Sequence, residues 1–233
     1  MRLALLLVAA LGSAACVMHP AGPMQHDSSA IERDKAEMVR VDLRMGAGEL
    51  RIDSGADKLA NATFDYNVAA WKPEVRYTSS GGTGDLTIRQ PNDTSINFGG
   101  SQRNEWSVRL SRDVPMEITA HFGAGDATLN LGGLDLRRVE MSMGAGDLNL
   151  DLRGTPKTSY SVNVSGGVGD SKVYLPSGVG IEAFATKGVG EIEASGLHQD
   201  GNRYYNDAFA NSPVKIHLDI HGGVGDIHLF AGG

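Results

Sequence analysis

Residues 118–173 read ITAHFGAGDATLNLGGLDLRRVEMSMGAGDLNLDLRGTPKTSYSVNVSGGVGDSKV. One short phrase occurs three times in them: an alternating strand, Gly-x-Gly-acid, another alternating strand. The copies begin at Gly123, Gly144 and Gly167, 21 and 23 residues apart. A fixed period in this range is the mark of a repeat architecture.

Working outward, seven such motifs follow one another. They are Gly46-Ala47-Gly48-Glu49, Gly82-Thr83-Gly84-Asp85, Gly123-Ala124-Gly125-Asp126, Gly144-Ala145-Gly146-Asp147, Gly167-Val168-Gly169-Asp170, Gly188-Val189-Gly190-Glu191 and Gly223-Val224-Gly225-Asp226. Their spacings are 36, 41, 21, 23, 21 and 35 residues, so the long gaps carry insertions. Apolar residues keep one phase around the glycines. Val41/Leu43, Val139/Met141 and Val162/Val164 lie five and three places before the first glycine; Leu50/Ile52, Leu86/Ile88 and Leu148/Leu150 lie four and six after it. Period two on both sides means two strands, each with one buried face. Glycine supplies the backbone freedom of a sharp corner, and the acid can accept hydrogen bonds from turn amides. A string of hairpins and a solenoid both fit one unit. Identical phase from copy to copy favours the solenoid, because it stacks like on like and buries a continuous core. The expected fold is all-β: a right-handed single-stranded β-solenoid with rungs of about 21 residues.

The first fifteen residues read as a signal peptide: Arg2, an apolar run from Leu3 to Leu11, then Ser13-Ala14-Ala15. The run is too short to span a bilayer. Cys16, the one cysteine, follows directly and resembles a bacterial lipobox cysteine, the residue that is diacylated and becomes the mature N-terminus. Residues 16–37 are polar, with Pro20 and Pro23, and are expected to be a lipidated, flexible tether. The domain is expected at 38–233. Val17 after the cysteine, in place of Asp, implies the outer membrane, facing the periplasm, if the host has two membranes.

The charge is 21 basic against 28 acidic residues, a net of −7, with no basic cluster, which argues against nucleic acid. The aromatics concentrate in insertions. Phe64, Tyr66, Trp71 and Tyr77 read first as sealing an end of the solenoid or covering a seam; a candidate binding surface is their sharper, second reading. One carboxylate per rung is thin for calcium, which takes six to eight oxygens, so the corner acids read as structural and no metal or cofactor is expected. His217, Asp219 and His221 share an outer face at a spacing long for ligands of one ion; His228 lies beyond the next corner and His121 stands alone. No nucleophile–base motif is present. Asp93, Arg103 and Glu105 in the second insertion are the sole hint of a glycan-acting enzyme. Glycine corners with no following helix are poor phosphate cradles.

These residues together resemble the toast-rack domain, the β-solenoid of LiaF-type cell-envelope stress proteins and of adhesin-like proteins. The match runs over Gly46–Glu49, Phe64-x-Tyr66, Trp71-x-Pro73-x-Val75-x-Tyr77, Gly81-Gly82-Thr83-Gly84, Trp106, Val114-Pro115, the corner at Gly123, Leu175-Pro176, Gly196-Leu197, Asp200-Gly201 and Tyr204-Tyr205-Asn206. The resemblance implies a non-enzymatic envelope domain, in some members one that restrains a sensor kinase. LiaF-type proteins carry membrane helices before the domain; here the lipid on Cys16 is the expected anchor. The partners to expect are the membrane, an envelope protein such as a kinase, or a second copy. Self-stacking is expected because the last strand, close to Gly232-Gly233, has no obvious cap.

Overall fold

The computed structural model describes residues 21–91 and 102–232. Cys16, the signal peptide and Asp93 lie outside them. Seventeen strands form one continuous sheet.

One rung shows how the sequence builds it. Strand β8 (Leu136–Ala145) buries Leu136, Val139, Met141 and Met143; β9 (Leu148–Asp151) buries Leu148 and Leu150. The corner from Gly144 to Asp147 joins them. Its neighbours are β7 (Met116–Asn130), which runs through its own corner unbroken, and the rung of β10 (Tyr160–Val168) and β11 (Ser171–Leu175). All these pairings are parallel and in phase: Val139 lies between Ile118 and Val162, Met141 between Ala120 and Val164. Each buried Val, Leu or Ile stabilises by about 1.5–3 kcal/mol. A one-residue slip would turn every one of them to solvent, so the period-two pattern fixes the register. The solenoid reading holds.

The rungs do not stack in chain order. The stack begins with β5 (Thr83–Arg89) and β6 (Asn104–Leu110), followed by β2 (Met38–Ser54), β7, β8/β9 and β10/β11. Next comes the last rung of the chain, β16 (Lys215–Val224) with β17 (Ile227–Ala231), and only then β12 (Gly180–Val189) with β13 (Ile192–Ser195). The first two rungs are swapped in space, and so are the last two.

Three expectations are corrected. Gly82-Thr83-Gly84-Asp85 is not a corner. It follows the tip of an antiparallel hairpin between β4 (Glu74–Ser80) and β5, in which Gly81 and Gly82 hold φ of 58° and 79°. Two successive residues with positive φ suit a two-residue hairpin turn. Leu86 and Ile88 accordingly stack on Val41 and Leu43, before the corner and not after it. Secondly, part of the tether is a strand: β1 (Gln25–Ile31) pairs antiparallel with β3 (Ala60–Tyr66). It carries no apolar alternation because it is an outer layer held by main-chain pairing and by Tyr66, whose hydroxyl donates to Asp27. Thirdly, β17 is not an uncapped edge. It lies between β11 and β13, and the far end is β12/β13, with the hairpin β14 (His198–Asp200) and β15 (Arg203–Tyr205) laid on β12.

Candidate functional site: the glycine corners and the groove beside them

The two glycines of a corner do different work. At Gly146 φ is 117°, and a Cβ would stand 1.9 Å from the carbonyl oxygen of Gly125 in the next rung. At Gly144 φ is ordinary, yet a Cβ would stand 2.4 Å from the oxygen of Gly123. Bend and close stacking therefore both demand glycine. The same contacts run along the whole stack, in the order 46, 123, 144, 167, 223 and 188, independently of the strand pairings.

The corner acids form a ladder. The Asp170 amide donates to Asp147 (3.0 Å), the Asp226 amide to Asp170 (2.8 Å), and the Glu191 amide to Asp226 (2.7 Å). Each bond runs from one rung to the next, so backbone amides satisfy the carboxylates that stacking brings together. Among the described residues no group of three or more His, Cys, Asp or Glu is placed to hold a metal ion.

Beside these corners runs an open groove of about 880 Å³ spanning four rungs. Arg44, His121, Ser142 and Ser165 line its outer side, one per rung, and Met45, Phe122 and Met143 form its floor. Gly46, Gly123, Gly144 and Gly167 of the corners line it too. Gln90 and Asn104 close one end: Gly46 donates its amide to Gln90, and the Asn104 side chain donates to the Ala47 carbonyl and to Gln90. The Trp106 indole donates to Asn104 in turn (3.0 Å). These two residues pack against Gly46 and Gly48 of the next rung, and nothing in the repeat pattern points to them. Arg44 is held by both oxygens of Asp42 at 2.9–3.1 Å. None of the described lining residues is a carboxylate, so none of them can orient His121 as a base.

The remaining sequence candidates fall elsewhere. Phe64, Tyr66 and Trp71 are buried, and Phe64 packs edge-on against Trp106 at 5.4 Å. They plug the first end of the solenoid, and their second reading, as a binding surface, is corrected. Tyr77 is half-buried, with its hydroxyl donated to Asp34 (2.8 Å). Burial, then the facing carboxylate, pushes both Tyr66 and Tyr77 up to about 12. The Tyr66 hydrogen bond holds Asp27 below its usual range. His217, His221 and His228 do not converge; they face Glu182, Thr186 and Glu193 respectively, across the seam between the last two rungs. Arg103 and Glu105 pair with each other at 2.9 Å. Among the described residues no helix is long and apolar enough to cross a membrane.

Residues 20–174 match the family described as the N-terminal domain of toast_rack, DUF2154. Protein LiaF of Bacillus subtilis (strain 168) is 22% identical over 148 residues, 61% of this chain and 60% of that protein. The chain thus matches less than two thirds of that relative's length. The crystal structure of a candidate cell adhesion protein from Clostridium sporogenes ATCC 15579 superposes with a TM-score of 0.88 at 34% identity. That likeness covers 90% of this chain and 100% of the other.

Proposed function

This chain belongs to the toast-rack family, and from that premise we propose that it is a lipid-anchored envelope domain that binds a partner without chemistry of its own. The observation that carries the reading is the groove: a concavity four rungs long on a rigid stack, with an apolar floor, a polar side and no carboxylate among its described lining residues. Such a surface suits an elongated partner held by contact. The carboxylates of Asp147, Asp170 and Asp226 are engaged in the amide ladder. Diacylation at Cys16 supplies the two chains that stable anchoring needs, and β1 begins nine residues later at Gln25, joining the anchor to the first end of the stack. The likeness to LiaF supports a role in envelope-stress signalling, with a sensor kinase or its regulator as the partner; an adhesive role is the alternative that the Clostridium likeness favours.

Membranes from cells carrying the wild type and the Ser142→Arg/Ser165→Arg variant test this. Both changes fill the groove from its outer side and leave the core alone. A specific envelope protein should co-purify with the wild type and be lost from the variant, while Cys16→Ser should move the chain out of the membrane fraction. Equal recovery of the protein with both membrane-bound forms would refute the groove reading.

A further inference from the structure

The stack is finished unevenly. At its first end both flanks carry added antiparallel strands: β4 lies on β5, and β3 then β1 lie on β6. At the far end the flank before the corner is covered by β15 and β14. The flank after the corner ends in β13, and among the described residues its one strand partner is β17. Its side chains show the difference. Ile227 and Leu229 one rung inside are buried at 2% and 0% exposure, whereas Ile192 and Ala194, which continue the same columns, are only half-buried.

The backbone is open as well. The Glu191 carbonyl accepts from the Ile227 amide at 2.9 Å, so Glu191 and Glu193 turn their main-chain groups toward β17. Alternation then points the N–H and C=O of Ile192 and Ala194 away from the stack. Exposed Glu191 and Glu193 flank them, and the Glu193 carboxylate reaches back to His228 (3.2 Å).

We propose that β13 is a docking edge for a basic, extended segment of a partner protein, which adds to the sheet as one more strand. Main-chain pairing at Ile192 and Ala194 would hold it. Apolar residues at alternate positions would complete the two open columns, and Lys or Arg between them would meet Glu191 and Glu193. A second copy fits less well. Pairing β13 with itself brings like charges together, and stacking β1 on β13 sets Asp27 and Ser29 over Ile192 and Ala194, since these face the core side of β3 opposite Phe64 and Ala62. The edge shares no residue with the groove.

The test is amide hydrogen exchange on the purified domain, with an acetylated and amidated hexapeptide of alternating lysine and valine as probe. The peptide should slow exchange at Ile192 and Ala194 at least tenfold, and its glutamate–valine counterpart should not. Ala194→Pro removes an outward N–H that the protein does not use, a change an edge strand tolerates; it should weaken binding at least tenfold. Glu193→Lys should weaken it similarly and decides the matter should the proline variant fail to fold. No protection in the wild type, equal protection by both peptides, or protection that grows with protein concentration alone would overturn the proposal, the last outcome assigning the edge to a second copy.

Discussion

At the scale of the residue, glycine and aspartate carry the fold. The corner glycines were legible in the sequence because both requirements, positive φ and close stacking, admit one residue type. Gly166 provides the control: a Cβ there would meet nothing within 4 Å, and its φ is ordinary. Gly146→Ala is expected to cost about 3 kcal/mol in backbone strain and displaced stacking. For a domain of this size that lowers Tm by roughly 6–12 °C. Gly166→Ala should leave Tm within about 2 °C, as surface substitutions away from special geometry do. Thermal unfolding of the two variants side by side checks both. Asp170→Ala should cost about 1 kcal/mol, the worth of one lost hydrogen bond at a half-buried position that water still reaches. The aromatic insertion left two readings open for a physical reason. Aromatics between repeat units can plug an end or line a groove, and only the antiparallel pairing of β3 with β6 decides that Phe64 and Tyr66 point into the core.

At the scale of the element, the N-terminal strand and the last rung carry predictions. β1 is pinned by Tyr66 to Asp27, with Lys72 beside it. Asp27 lies below its usual range, so its contribution is complete at neutral pH and is lost as pH falls through the carboxylate range. Tyr66 is raised, so its contribution is complete below the ordinary tyrosine range and is lost as pH climbs from there toward about 12. Acid should therefore loosen β1 before the stack, seen as lower protection, relative to intrinsic exchange at the same pH, at 25–31 with the amides of β7 and β8 still protected. Asp27→Asn should lessen that acid-induced loss of protection. The last rung is wedged between β10/β11 and β12/β13. Ending the chain at residue 213 should then unseat β12–β15 as well, making residues 176–210 sensitive to protease while β7–β11 stay resistant. A stack in chain order would lose its final rung alone. This transposition was not legible, because every copy has the same phase and the repeat says nothing of which copy neighbours which. The hairpin at Gly81-Gly82 hid for a related reason: its Gly-x-Gly-Asp imitates a corner, and only the strand on its far side reveals the antiparallel pairing.

At the scale of the molecule, a rod of stacked rungs is plugged by aromatics at one end and half-covered at the other, with a groove beside its glycine corners along one side. The architecture could be read from the 21-residue period. The groove could not, since sequence patterns mark side chains and not the space beside them. The central claim is that this groove, and not the face of the same four rungs across the corner, meets an envelope partner. Photo-crosslinking residues placed in living cells at His121, Ser142 and Ser165 along the groove, and at Thr128, Asn149 and Lys172 on the opposite flank, test it directly. The account predicts one and the same envelope protein captured from all three groove positions and from none of the three controls. Capture from the controls alone, or from neither face, would contradict it.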